Sequence, residues 1–204
     1  MPTISRVLRT SDQIRTDIEQ ILGFLPPFFE PARSTPLVME SLWQQTLLAD
    51  IDSSLPVQFK QRLNASLARF CAVPYCMVCH ASALRPLDMT GREILALLEL
   101  PRPLDAEVEE YLVTLSAAPI VLSAFPISDS PQELALIGCA TIIFLQGAME
   151  EACRECVERV LGPELFNSFS LYLAYIKTCH TWLEMHPDIS CETDEQLHDR
   201  RAAP

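Results

Sequence analysis

The chain has 204 residues, of which 49% are hydrophobic and 21% charged, and this balance excludes disorder over most of its length. A chain of this length buries a core of its own without a disulfide or a structural metal. The net charge of −12 and the lack of a basic stretch argue against binding to nucleic acid or to an anionic membrane, since like charges repel. Only five glycines occur and no glycine-rich phosphate-binding motif is present, so a dinucleotide-binding or all-β fold is not expected.

The first residues, MPTISRVLRTSDQIR, lack the apolar core of a secretory signal. The longest apolar run, at 134–145, is about 12 residues long and is too short to span a bilayer. These observations predict a cytoplasmic protein. In that compartment, the eight cysteines are more often redox-active, metal-binding or buried thiols than structural disulfides.

Helical periodicity dominates the chain, and no segment shows the two-residue alternation of a strand. The pattern predicts a single all-α domain, a bundle of about eight helices over 1–186, followed by a polar C-terminal tail at 187–204. An alternative is a division into two sub-bundles near residues 100–104. The predicted helices lie at about 11–24, 36–50, 56–72, 74–85, a short segment from 90, then 105–117, 131–149, 150–160 and 163–185.

Apolar spacing also predicts which helix faces are buried. In the second helix, the buried residues should be Leu37, Leu42, Trp43 and Leu47. In the third helix, they should be Phe59, Leu63, Leu67 and Phe70, while Gln61, Ala65, Ala68 and Ala72 form a face of small residues. Small side chains allow a neighbouring helix to approach closely. Ser130, followed by proline and acidic residues, marks the start of the helix at 131.

The segment PYCMVCH, at residues 74–80, holds the most specific arrangement of reactive side chains. Cys76 and Cys79 are three residues apart and Cys76 and His80 are four apart, so all three should share one helix face. Pro74 places Cys76 in the first helical turn, where unpaired N–H groups stabilise a thiolate. His80 could accept the thiol proton, and Cys79 could attack an oxidised Cys76 to form a disulfide.

Other interpretations of these cysteines remain open. Cys76 and Cys79 could be packed core thiols, and CMVCH also fits the CxxCH pattern of haem attachment. Together with Cys153 and Cys156, they could form a four-thiolate zinc site. The favoured interpretation, a redox site formed by Cys76, Cys79 and His80, requires no cofactor and no metal. Cys139 and Cys71 are interpreted as core thiols, Cys191 as a surface thiol in the tail, and His180 as a hydrogen-bonded histidine near a helix end.

Residues 55–98, and above all RFCAVPYCMVCHASALRPLDMTGREILALLE, resemble the core of the alkylhydroperoxidase D / carboxymuconolactone decarboxylase family. The family pattern is a helix with a glutamate, then CxYCxxxHxxxL, a glycine-containing turn and a short xEIxxLL helix. The matching positions here are Tyr75, Cys76, His80, Leu84, Gly91, Glu93, Ile94, Leu97 and Leu98. The upstream GFLPPFF and Trp43 are also similar to the family. The resemblance implies an all-helical fold, with Cys76 as the peroxide-reactive thiol and His80 as its partner.

The chain also departs from the family pattern. Val73 occupies the place of the family's first cysteine, and Gln61 occupies the place of its proton-relay glutamate. A glutamine amide cannot carry a proton on and off. Cys79 is an additional thiol that could replace the missing partner in a shifted dithiol.

The sequence therefore predicts a thiol-dependent hydroperoxidase or disulfide reductase, with Cys76 as nucleophile, Cys79 as resolving thiol and His80 as base. The expected partners are a small-molecule hydroperoxide and a dithiol reductant protein, and the resemblance implies a homo-oligomer. The alternative is a catalytically degenerate family member that acts as a redox sensor or an interaction scaffold. A metal-binding helical domain is a third hypothesis.

Overall fold

The computed structural model of the protein describes residues 9–119 and 125–191, and the structural statements below refer to these ranges. Within them, the secondary structure is helical and contains no strand, as the periodicity predicts. The α-helices are α1 (Ser11–Leu22), α2 (Pro36–Thr46), α3 (Val57–Phe70), α4 (Pro74–Ala83), α5 (Gly91–Glu99), α6 (Asp105–Ser116), α7 (Pro131–Leu145) and α8 (Glu150–Met185). Short 3₁₀ segments lie at Pro27–Ala32 and Arg85–Leu87, and a π-helical turn at Leu47–Ile51 follows α2.

Helix α8 is interrupted at Gly162, where φ is 70° and ψ is 170°. This left-handed value of φ suits glycine, and Pro163 then begins the second arm, because proline is tolerated in a first helical turn. The two helices predicted at 150–160 and 163–185 are thus the two arms of α8.

Hydroxyl side chains cap the starts of α5 and α7, where the sequence predicts helices to begin. Ser130 Oγ accepts a hydrogen bond of 3.2 Å from the backbone N–H of Glu133. Thr90 Oγ1 accepts one of 3.3 Å from the backbone N–H of Glu93, whose carboxylate accepts in return from Thr90 N–H at 2.7 Å. Each cap satisfies a backbone donor that the helix itself leaves unpaired.

The buried side chains form two large clusters. The first cluster joins α3, α6, α7 and the length of α8, and it includes Phe59, Leu63 and Leu67 from the predicted stripe of α3. The second cluster joins α1, α2, α4 and the second arm of α8. Since α8 contributes to both clusters, residues 100–104 do not mark the division between them.

Several sequence expectations about burial are wrong. Leu47 and Phe70, which were expected to be buried, are only half-buried. Leu37 is 57% exposed because the buried stripe of α2 runs instead through Met39, Leu42, Trp43 and Thr46, at helical spacing. Cys191, predicted as a surface thiol, is half-buried and packs with Ile189 against the second cluster, so the start of the predicted tail is ordered against the core. Residues 192–204 of that tail lie outside the described residues.

In the part of the chain that the structure describes, no helix is both long enough and apolar enough to cross a membrane. This agrees with the short apolar run at 134–145.

His180 differs from its sequence interpretation in two ways. It lies inside α8, which continues to Met185, and it is only 4% exposed. Within the described residues, neither ring nitrogen has a hydrogen-bond partner, and the ring instead meets Phe144 edge to face at 5.6 Å between centroids. Burial lowers the pKa of His180 from 6.5 to about 4.

We expect the free energy of unfolding to fall with decreasing pH because of His180. The unfolded chain binds a proton at this histidine near pH 6.5 and the folded chain only near pH 4, so the stabilisation is complete above 6.5 and is lost as the pH falls towards 4. The shift corresponds to about 3 kcal/mol. His180→Leu should flatten the free energy of unfolding across this window, as measured by urea denaturation at fixed pH values.

Lys177→Gln is a matched control, because it changes an exposed residue that lies over the same Phe144 ring and leaves the buried imidazole in place. Curves for His180→Leu and the wild type that run parallel between pH 7 and 4 would contradict the prediction.

Candidate active site

The turn between α3 and α4 brings Cys76 to the start of α4. Ala72 adopts a left-handed conformation, with φ of 55°, and reverses the chain. The N–H of Val73 then donates to the carbonyl oxygen of Ala68 at 2.8 Å, which ties the start of α4 to α3. Pro74 is the first residue of α4, so Cys76 is the third. Its sulfur therefore lies in the turn whose N–H groups favour a thiolate.

Cys76, Cys79 and His80 line a single cavity of about 50 Å³. Both thiols are buried, and each residue is 3% exposed. A cavity of this size holds a few water-sized molecules. The remaining lining residues come from the segment at 22–50, from α4 and from α8: Leu22, Pro26, Phe28, Phe29, Thr46, Asp50, Tyr75, Tyr175 and Cys179.

Gln61 of α3 is the hydrogen-bond partner of His80. Its Oε1 lies 2.6 Å from His80 Nδ1. With the amide oxygen as acceptor, Nδ1 carries the ring proton and Nε2 is the basic nitrogen of the neutral imidazole. The glutamine can thus orient the ring and select its tautomer, but as a neutral amide it cannot accept the proton that the imidazole releases.

Among the described residues that line the cavity, Asp50 alone carries a carboxylate. It belongs to the π-helical turn after α2, and Lys60 holds it: Lys60 Nζ lies 3.2 Å from Asp50 Oδ1 and also donates to the Asp50 carbonyl oxygen. Lys60 itself is 3% exposed, so its charge is neutralised locally. Sequence reasoning missed this pair because no motif marks it.

Cys179 of α8 adds a third thiol to the cavity, next to Tyr175 and Thr46. Tyr175 Oη lies 3.2 Å from Thr46 Oγ1. Burial raises the pKa of Cys179 well above its usual value, a negative charge on Cys76 raises it further, and a hydrogen bond from Tyr175 opposes the shift. From the sequence alone, Cys179 is assigned no role. Its position on the stripe of Tyr172, Ile176 and Leu183 could have indicated that it faces inward.

A separate group of thiols lies in the first cluster. Cys139, Cys153 and Cys156 are all buried there, while Cys76 and Cys79 belong to the second cluster. A hydrogen bond from Cys139 lowers the pKa of Cys153, and Arg159 Nη2 approaches Cys156 Sγ at 3.6 Å.

The zinc site that the sequence left open is therefore not assembled. Across residues 9–119 and 125–191, no group of three or more histidine, cysteine, aspartate or glutamate side chains is arranged to hold a metal ion. Cys139 is fully buried, in agreement with its prediction as a core thiol, whereas Cys71 is only half-buried.

The chain matches no family model, and no curated protein and no solved structure matches it. Its functional assignment therefore depends on the geometry of the cavity and on the motif at 74–80.

Cys76 and Cys179 should differ in their reactivity towards an alkylating reagent. At pH 8, we expect iodoacetamide to modify Cys179 at least tenfold more slowly than Cys76, because burial keeps Cys179 protonated whereas the start of α4 favours a Cys76 thiolate. A time course of peptide mass spectrometry measures both rates in one sample.

The same reaction in urea is the control, since unfolding should bring the two rates together. Equal rates in the native protein would show that the two environments do not separate the thiols.

Proposed function

We propose that this protein is a thiol-dependent peroxidase in which Cys76 is the reactive nucleophile. The observation that carries the proposal is the common cavity: a thiol in the first turn of α4, further thiols beside it, and a histidine on the same helix that Gln61 orients through Nδ1. This arrangement combines a nucleophile, a base and a source of a second thiol within one buried space.

The proposed chemistry uses a hydroperoxide as the two-electron oxidant. His80 takes the proton of Cys76, and the thiolate attacks the outer peroxide oxygen. The O–O bond breaks, the leaving oxygen takes the proton to become an alcohol or water, and Cys76 becomes a sulfenic acid. A second cavity thiol, which the sequence assigns to Cys79, attacks that sulfur and releases water. A dithiol reductant then returns two electrons and two protons to the disulfide.

The cavity volume of about 50 Å³ favours a small substrate. Hydrogen peroxide or a short alkyl hydroperoxide fits such a space, whereas a bulky aromatic hydroperoxide requires the cavity walls to move. The substrate class proposed is therefore a small hydroperoxide.

The proposal includes membership of the alkylhydroperoxidase D-like family. Its support is the residue pattern at 75–98, together with the position of Gln61 beside His80, where the family's relay glutamate is expected. A homo-oligomer and a dithiol reductant partner follow from that resemblance as further parts of the proposal.

A redox sensor is the second candidate function. The neutral Gln61 favours it, because a site without a proton relay could oxidise once without turning over. A sensor and a peroxidase differ in one measurable way, since only the peroxidase completes repeated cycles with a dithiol donor.

Cys76→Ser should abolish the steady-state consumption of hydrogen peroxide by the protein in the presence of a dithiol reductant. The hydroxyl group that replaces the thiol is not a comparable nucleophile. The measurement is peroxide loss over time at excess donor, and Cys156→Ser is the matched control, because Cys156 lies in the other cluster.

Peroxide consumption that is unchanged in Cys76→Ser would refute the peroxidase proposal. A wild-type protein that consumes about one equivalent and then stops would favour the sensor.

Gln61→Glu should increase the peroxidase rate, by roughly tenfold. A carboxylate at this position would lie near His80 Nδ1, now 2.6 Å from the amide oxygen, and would make the imidazole a stronger base and a relay. The rate is measured as a function of pH. In the proposed mechanism the rate increases with pH as His80 loses its proton, and this increase should move to higher pH in Gln61→Glu.

Gln61→Leu is the comparison, because it removes the hydrogen bond and should slow the reaction. An equal rate in all three proteins would mean that His80 does not act on Cys76.

A further inference from the structure

The cavity joins two helices that each carry thiols, and their pairing is not fixed by the sequence. Cys76 and Cys79 come from α4, and Cys179 comes from the second arm of α8. All three are buried, and α4 and α8 are in direct contact. Cys76, Cys79 and Cys179 also belong to the same buried cluster.

Disulfide geometry separates the two pairings. Cys76 and Cys79 are both inside α4, three residues apart. Residues at this spacing in an α-helix have Cβ atoms about 5–6 Å apart, whereas a disulfide needs about 3.5–4.5 Å. A Cys76–Cys79 bond therefore requires the first turns of α4 to distort. A bond between α4 and α8 joins side chains of two helices that already pack together, so it does not require either helix to unwind.

We propose that Cys179 is a resolving thiol of this site, and that oxidation links it to Cys76 and so joins α4 to α8. This inference rests on the proposed function in one respect, which is that Cys76 is the thiol that reacts first. In the resolving step, the Cys179 sulfur bonds to the sulfur of the Cys76 sulfenic acid. The S–O bond breaks, and the departing hydroxide takes the Cys179 proton and leaves as water.

Tyr175 is the positioning residue for this step. Its side chain lines the cavity together with Cys179, and its hydroxyl lies 3.2 Å from Thr46 Oγ1, at the end of α2. A hydroxyl donor in this cavity can hold the Cys179 sulfur and stabilise the thiolate form that attacks. Tyr175→Phe should therefore slow the formation of the Cys76–Cys179 bond, so that dimedone traps more of the Cys76 sulfenic acid than in the wild type.

The test maps disulfides in the full-length protein by peptide mass spectrometry without reduction. The reduced protein receives one equivalent of hydrogen peroxide or, separately, of diamide, which oxidises two thiols to a disulfide and is itself reduced to the hydrazine. The expected product with both oxidants is a Cys76–Cys179 link. The link should persist in Cys79→Ser and be absent in Cys179→Ser, where dimedone should trap the Cys76 sulfenic acid formed by peroxide.

A thermal melt gives a second readout that needs no variant. A link between residues 76 and 179 closes a long loop and should raise the midpoint of unfolding by about 10 °C, whereas a link between neighbours on α4 should scarcely change it. The comparison is between oxidised and reduced wild-type protein.

The outcomes separate the two proposals. A Cys76–Cys79 link alone in the wild type, or no Cys76–Cys179 link in Cys79→Ser with either oxidant, overturns the role of Cys179 even if peroxide is turned over. A Cys76–Cys179 link formed by diamide in a protein that does not consume peroxide supports the pairing and refutes the peroxidase.

Discussion

The close packing of α3 against α4 is the constraint on which the rest of the site depends. The small residue Ala68 faces the second cluster without exposed area, and its carbonyl oxygen accepts the N–H of Val73, so the two helices meet with little between them. This approach sets the distance between Gln61 and His80 and places the first turn of α4 at the cavity. A larger side chain on this face of α3 would displace every reactive group on α4 at once.

The site lies where polar groups have been brought into the second cluster. A buried ammonium, carboxylate, phenol or thiol is costly unless it is paired, and here Lys60 pairs with Asp50 and Tyr175 with Thr46. The result is a small cavity with both polar and apolar walls. Burial raises the pKa of Cys179 in this cavity, whereas the first turn of a helix, where Cys76 lies, is a position that favours a thiolate.

The two groups of buried cysteines lie in different environments, one in a packed core and the other at a cavity. Cys139 and Cys153 are buried in the first cluster and form part of its packing. Cys76, Cys79 and Cys179 line a cavity of about 50 Å³, which has room for a molecule of a few atoms beside their sulfurs. The spacing CxxC occurs in both groups and does not distinguish them.

The sequence by itself determined what depends on neighbours along the chain. The helices, their caps at Thr90 and Ser130, and the break at Gly162 follow from local propensity and periodicity. The common face of Cys76, Cys79 and His80 also follows, because it depends only on helical spacing. The placement of Gln61 beside the reactive segment was implied only by the resemblance of residues 55–98 to a known family, and Gln61 does contact His80.

Tertiary structure alone decided which distant groups complete the site. Asp50 and Cys179 reach the cavity from elements that are far from α4 in sequence, and their arrival depends on how α2 and α8 rotate and cross against it. The same holds for Cys191, which packs against the core, and for His180, whose nitrogens face no partner among the described residues. Helical periodicity fixes a side chain's angle on its own helix, but the packing of helices fixes what that side chain meets.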